Sequence, residues 1–153
     1  LQKYGIPLAT NQVRYNLLDR KIETNGILDR AKKLGITIIA YSPLAQGLAT
    51  GKFHDNPELL KSAGYRRLSS QFRPEGMKKS RPVIALLKEL AVKYKVTPAQ
   101  VALNWVVQFN GDMVVAIPGA TKEKHVKENL GALSFRISDE DLIRLDKVSS
   151  IFK

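Results

Sequence analysis

Three short runs of β-branched and apolar residues stand out against the helical patterning of this 153-residue chain. They are PLATNQV (residues 7–13), GITIIAYSPL (35–44) and GDMVVAIPG (111–119). Their length and composition predict short buried strands rather than helices. Between the first two lies NGILDRAKKLG (25–35), where Ile27, Leu28, Ala31 and Leu34 share one helical face and Gly35 can close the helix in a left-handed conformation. The stretch 51–80 mixes Gly, Pro, Asn, Ser and charge without clear period, which predicts a long irregular loop of the kind that covers a site.

Helices are then predicted over 80–94 and 97–109. The second has strong start signals: Thr97 as N-cap, Pro98 at the first helical position and Gln100 completing a capping box. A helix over 122–130 and a last one over 138–149, where Ser138 and Asp141 repeat the capping pattern, follow the third strand. Strands alternating with helices predict an α/β class with parallel strands in one domain spanning 1–153. Three parallel strands cannot close a barrel, and the opening LQKYG (1–5) reads as the end of a helix. The chain therefore reads as the back part of a larger unit.

The polar residues Gln12, Tyr41, Ser42 and Gly119 fall at or just beyond the carboxyl ends of the predicted strands, where barrels and open α/β sheets build their sites. The third strand leads into PGATKEKHVKENL, which sets Lys122, Lys124 and His125 on a helix start. That end already carries partial positive charge, so added cations suit either an anion-binding turn or plain solvated lysines.

Composition narrows the choice of function. The formal net charge of +11 would permit nucleic-acid binding, but RAKK, GYRR, EGMKKSR and TKEKHVK are scattered over different elements with no recognition signature joining them. A solvated basic surface is the better reading, with no nucleic-acid partner expected. No apolar run approaches the ~20 residues of a membrane span, and no signal-peptide pattern is present, so no membrane partner is expected. Cysteine is absent, which rules out disulfides and thiolate metal sites in this sequence and suits a reducing cytoplasm.

NQVRYNLLDR, GITIIAYSPLAQGLATGKF, TPAQVALNWVVQ and VVAIPGATKEKHVKENLGAL, in this order and at these separations, resemble the aldo-keto reductase family, and most closely its branch that includes the potassium-channel beta subunits. The resemblance implies an eight-stranded (β/α) TIM barrel binding NADP(H), of which this chain looks like strands six to eight. It implies that Gln12 bonds the nicotinamide carboxamide and Tyr41 stacks on the nicotinamide ring. Ser42, Pro43, Leu44, Ala45, Gln46 and Gly47 match the loop lining the pyrophosphate, and Lys52 a basic residue near the phosphates. Arg67, or its neighbour Arg66, matches the arginine over the 2′-phosphate. Gly119, Ala120 and Thr121 match the cradle of the adenosine 2′-phosphate, Lys122 and His125 its rim, and Glu128 and Asn129 the contacts to adenine.

The family's catalytic Tyr, Lys, Asp and His all come from strands earlier than those matched, and none of Tyr4, Tyr15, Tyr41, Tyr65, Tyr94, His54 or His125 corresponds to them. No catalytic residue is expected in this chain. The resemblance implies a carbonyl/alcohol oxidoreductase with a small carbonyl substrate once an N-terminal half is present. The alternative it implies is a nucleotide-binding regulatory module without turnover. Either the missing half or self-association is expected to cover the open strands.

Overall fold

The structure, a computed structural model, describes residues 4–153. The helix end expected at residues 1–5 falls largely on residues 1–3, outside that range. Strands β1 (Thr10–Arg14), β2 (Thr37–Tyr41) and β3 (Val114–Ile117) form one sheet in the order β1-β2-β3, all parallel. Helices α1 (Ile27–Leu34), α2 (Lys52–Asp55), α3 (Pro74–Tyr94), α4 (Pro98–Gln108), α5 (Glu123–Leu130) and α6 (Asp139–Ser149) complete the fold. The α/β class with a parallel sheet thus holds.

Register decides which side chains meet the helices. Gln12 pairs with Ile39 and Arg14 with Tyr41, while Ile39 faces Val115 and Tyr41 faces Ile117. Side chains alternate along a strand, so Thr10, Gln12, Arg14, Ile39, Tyr41, Val115 and Ile117 share one face. The opposite face carries Ile38, Ala40 and Val114, all buried in the main core. One side of the sheet is packed under helices and the other is open: Tyr41, Val115 and Ile117 are 40%, 45% and 46% exposed.

Local chemistry explains the helix ends. Gly35 closes α1 at φ 64°, its N–H donating to Ala31 O and Lys32 O. Thr97 and Gln100 form the expected reciprocal capping box of α4. Ser138 accepts from Asp141 N at the start of α6. Helix α4, buried from Val101 to Val106, then serves as a polar anchor as well as core. Asn104 Nδ2 donates to Ala132 O and Phe135 O, both at 2.8 Å, and Gln108 exchanges bonds with the backbone of Ile137. Those amides satisfy the non-helical stretch between α5 and α6, which could not be buried otherwise.

The segment from 51 to 80 departs from expectation. It is neither unstructured nor that long: α2 and 3-10 turns at Pro57–Leu60, Gly64–Leu68 and Ser70–Phe72 occupy it, and α3 begins at Pro74 rather than near residue 80. Gly76, Pro82 and the polar run Lys78–Ser80 hide the helical period there. Pro74 in the first turn is a legitimate helix start, and Pro82 costs one intrahelical bond without ending the helix.

A buried arginine ties the fold together. Arg20, 0% exposed, follows β1 and donates to both carboxylate oxygens of Glu23 (2.8 and 2.7 Å), to Asp146 Oδ1 (2.6 Å) and to Ser149 Oγ (2.6 Å) on α6. Its guanidinium lies 4.9 Å and 5.0 Å from the ring centroids of Trp105 and Phe109 at the end of α4. Burial alone would weaken its charge, but the hydrogen bonds from Glu23 and Asp146 outweigh burial and hold it protonated. Tyr15 donates to Glu23 at 2.7 Å, and burial followed by that carboxylate pushes its phenol well above its ordinary range.

Asp141 carries a second polar knot. Burial raises its pKa, but bonds from Lys93, Tyr94, Arg144 and Ser138 prevail and hold it well below the usual carboxylate range. Its stabilising contribution is therefore present above the unfolded value near ~3.9 and is lost as pH falls below it.

Arg20→Met removes the buried cation that Glu23 and Asp146 share, leaving them only the more exposed Lys153 at 3.8 and 2.8 Å, and should cost about 3 kcal/mol in urea unfolding. A loss under about 0.5 kcal/mol, the range of ordinary surface changes, would contradict this role.

Candidate functional site

The open sheet face and the loops at the carboxyl ends of its strands bring most of the expected site residues to one end of the molecule. Gln12 and Tyr41 lie on that face, on neighbouring strands and offset by two residues in register. Tyr41 is outside the core, unlike Tyr15 at 0% exposed. An amide and an aromatic ring presented side by side on an uncovered surface can receive a flat polar ligand: the amide donates and accepts at once, and the ring supplies a stacking face.

The turn after β2 is held in an unusual shape. Ser42, Ala45 and Gln46 have φ of 51°, 48° and 57°, and Gly47 has φ 92°. Non-glycine residues in this region cost on the order of 1 kcal/mol each and persist only where their surroundings enforce them. Here the enforcing contacts are visible. Asn16, 1% exposed, donates from Nδ2 to Ser42 O at 2.9 Å and accepts from Leu18 N. Ala45 N–H returns to Ser42 O and Gly47 N–H to Leu44 O, both at 2.9 Å. Pro43 and Ala45 are buried. A Cβ on Gly47 would touch Lys52 Cε and Phe53 at 3.7 Å, so the Lys52 side chain lies along this turn, its ammonium 5.0 Å from the Phe53 ring centroid.

Gln46 Oε1 in this turn, Arg14 Nε at the end of β1 and Arg66 Nε in the segment after α2 are shielded from solvent and make no hydrogen bond. Buried polar groups are normally satisfied, so such orphans suit a ligand that supplies the missing partners. Arg67 is exposed and donates to Lys61 O at 3.4 Å. Arg66 is the less exposed of the two arginines. No side-chain bond among the described residues joins either arginine, or Lys52, to the turn after β3.

That second turn runs from Pro118 to Lys122, and its Gly119, Ala120, Thr121 and Lys122 are exposed. Lys122 is the N-cap residue of α5 and makes no side-chain cap bond, although His125 N–H does return to Lys122 O at 2.9 Å. With no Ser, Thr, Asp or Asn acceptor at the cap, early N–H groups of the helix remain open to an anion. His125 is half-buried. Glu128 gives its carbonyl oxygen to Gln100 Nε2 at 3.0 Å, which fixes α5 against the start of α4. A Cβ on Gly131 would run into that same Gln100 amide and displace it from the Glu128 carbonyl. Asn129 lines an apolar groove of about 320 Å³ with Ala120, Val126 and Leu130.

Sequence reading passed over Arg14. It ends β1 on the same face as Gln12, pairs Asp19 through Nε at 3.3 Å and donates from Nη2 to Gln71 Oε1 at 2.7 Å. The two-residue alternation from Gln12 was the available signal. His125 sits in the first turn of α5, whereas His54 is bound to α3. His54 Nε2 meets Ser80 Oγ at 3.0 Å, and burial lowers its pKa. Among the described residues no cluster suits a metal ion and no helix is long and apolar enough to cross a membrane.

Comparison with known proteins places these features in context. The model of the "Aldo/keto reductase family" matches residues 1–150. An aldo-keto reductase of Strobilurus tenacellus is 34% identical over 145 residues, 94% of this chain and 43% of the relative. The crystal structure of an aldo/keto reductase from Klebsiella pneumoniae in complex with NADP and acetate superposes with a TM-score of 0.64 at 30% identity, covering 92% of this chain and 39% of that one. The glycerol dehydrogenase of Gluconobacter oxydans superposes at 0.81 with 27% identity, covering 98% and 45%. This chain spans less than half the length of each of these proteins.

The exposure of Tyr41 predicts that Tyr41→Ala shifts unfolding stability by no more than about 1 kcal/mol, whereas Tyr15→Ala, in the core, costs about 3–5 kcal/mol. Thermal or urea denaturation of the two variants checks this, and comparable losses would put Tyr41 back among structural residues.

Proposed function

This chain belongs to the aldo/keto reductase family, and from that premise we propose that it forms the NADP(H)-binding C-terminal half of a carbonyl/alcohol oxidoreductase. In this reading β1, β2 and β3 are strands six to eight of a (β/α)8 barrel, completed by an N-terminal half that brings the proton donor. The observation that carries the reading is the open sheet face with Gln12 and Tyr41 on it, flanked by the strained turn Ser42–Gly47 and the uncapped start of α5. The NADP bound by the Klebsiella relative supports the same choice of ligand.

The residues present fit a dinucleotide with a 2′-phosphate. Gln12 holds the carboxamide by donating and accepting together, which selects one face of the ring. Tyr41 supports the other face and shields it from water. The Ser42–Gly47 backbone would lie along the pyrophosphate, where Gly47 permits close approach, and a ribose hydroxyl beside it would donate to the unpartnered Gln46 Oε1. Lys52 and Arg66 supply cations over the phosphates. Gly119, Ala120, Thr121 and Lys122 offer backbone donors and a charge to the 2′-phosphate, with His125 at the rim and Glu128 and Asn129 toward the adenine. The bound cofactor supplies the hydride, and this chain orients it. A cytoplasmic setting accords with a cysteine-free sequence using this cofactor.

Lys122→Glu, in the protein with both barrel halves, should raise the dissociation constant for NADPH about tenfold and change that for NADH less than about twofold, because only NADPH offers the extra phosphate. Fluorescence titration with the two cofactors measures this. Equal weakening of both would sink the 2′-phosphate assignment.

A further inference from the structure

Arg14 lies one alternation beyond Gln12 on the open face, at the last position of β1 and level with Tyr41 in register. Two residues of strand carry it about 6.6 Å further toward the carboxyl end of the sheet. That is the end from which a carbonyl compound must approach a nicotinamide lying between Gln12 and Tyr41.

One hydrogen bond and one ion pair hold the guanidinium: Nη2 donates to Gln71 Oε1 at 2.7 Å, and Nε lies 3.3 Å from Asp19 without a hydrogen bond. Gln71 is itself held, its Nε2 donating to Leu18 O at 3.0 Å. Nη1 has no partner among the described residues, and the side chain remains 29% exposed. An arginine that only fastened the loop to the strand would need no free edge. A guanidinium held at Nη2 by Gln71 and paired in charge with Asp19, with Nη1 still open, is a partly preorganised fork for an oxyanion, since some of its rotamer freedom is already lost before binding.

We infer that Arg14 selects carbonyl substrates bearing a carboxylate or phosphate group, accepting that oxyanion on its open Nη1 edge while the carbonyl carbon faces the hydride; this rests on the cofactor reading above. Asp19 limits the net charge of the site, so neutral aldehydes are still admitted and specificity comes from directed hydrogen bonds rather than from a bare positive field.

The test compares 4-carboxybenzaldehyde with neutral 4-methylbenzaldehyde, using NADPH and the protein with both barrel halves. The wild type should show a kcat/KM for the carboxylate at least tenfold above that for its neutral analogue. In Arg14→Met the KM for 4-carboxybenzaldehyde should rise about tenfold or more with kcat little changed, while both constants for the neutral aldehyde and the dissociation constant for NADPH move less than twofold. Arg14→Lys should restore part of the preference. A second reading comes from the wild type alone: benzoate should inhibit competitively with aldehyde, and benzamide much more weakly. For a phosphate-bearing substrate, the same pattern would appear with glyceraldehyde 3-phosphate against glyceraldehyde. Wild-type protein that binds NADPH yet discriminates in neither pair overturns the inference alone, as does a variant in which charged and neutral aldehydes lose equally. Protein that fails to bind NADPH overturns the cofactor reading and this inference with it.

Discussion

Parallel pairing with a fixed register is the constraint on which the rest of the structure depends. Ile38 and Ala40 of β2 are both 0% exposed and lock that strand's other set of side chains, Ile39 and Tyr41, onto the opposite face. A slip of one residue would bury Tyr41 against the helices and expose Ile38, at a cost of ~2 kcal/mol for each large apolar side chain moved into water. Because β1 and β3 pair in register with β2, the positions of Gln12, Arg14, Val115 and Ile117 follow from the same choice. The site is thus a by-product of core packing: what the helices bury decides what the sheet presents.

Strand ends alone would not make a site, because loops there are free to wander. This protein holds them with buried polar groups of high connectivity. Asn16 holds the Ser42 carbonyl, Gln71 holds both Arg14 and Leu18, and Gln100 holds α5 through Glu128. Below them Arg20 joins the chain after β1 to α4 and α6. Each is an amide or guanidinium with several donors at fixed angles, so each can tie together segments far apart in sequence. The strain stored at Ser42, Ala45 and Gln46 is maintained by this bracing.

Much of this was legible in the sequence. The three β-branched runs become β1, β2 and β3 shifted by a few residues, because strand ends are set by hydrogen-bond partners that a single sequence does not reveal. Start signals that are local were readable in full: Thr97, Pro98 and Gln100 open α4, and Ser138 opens α6. Those that depend on distant partners were not. Gly76 and Pro82 made the first turns of α3 look like loop, although packing of Ser80 and Val83 keeps them helical. The alternation that sets Arg14 on the face of Gln12 was readable, but its bond to Gln71, 57 positions away, was not. Arg66 and Arg67 likewise look alike in the sequence, and only the fold shows that they differ in burial.

β1 and β3 each have a strand on one side only, and Val115 and Ile117 leave an apolar surface on the open face. The turn and helix start from Gly119 to Asn129 are made within a single segment, whereas Gln12 and Tyr41 lie on the open face between strands. The most direct test is calorimetric titration of the 153-residue chain by itself with 2′,5′-ADP and with NADPH. If this chain holds the adenosine phosphate end locally and the nicotinamide end only with further walls, the two ligands bind within about tenfold of each other, a difference of about 1.4 kcal/mol. NADPH binding a hundredfold or more tighter than 2′,5′-ADP would show a complete nicotinamide pocket in this chain and contradict the account.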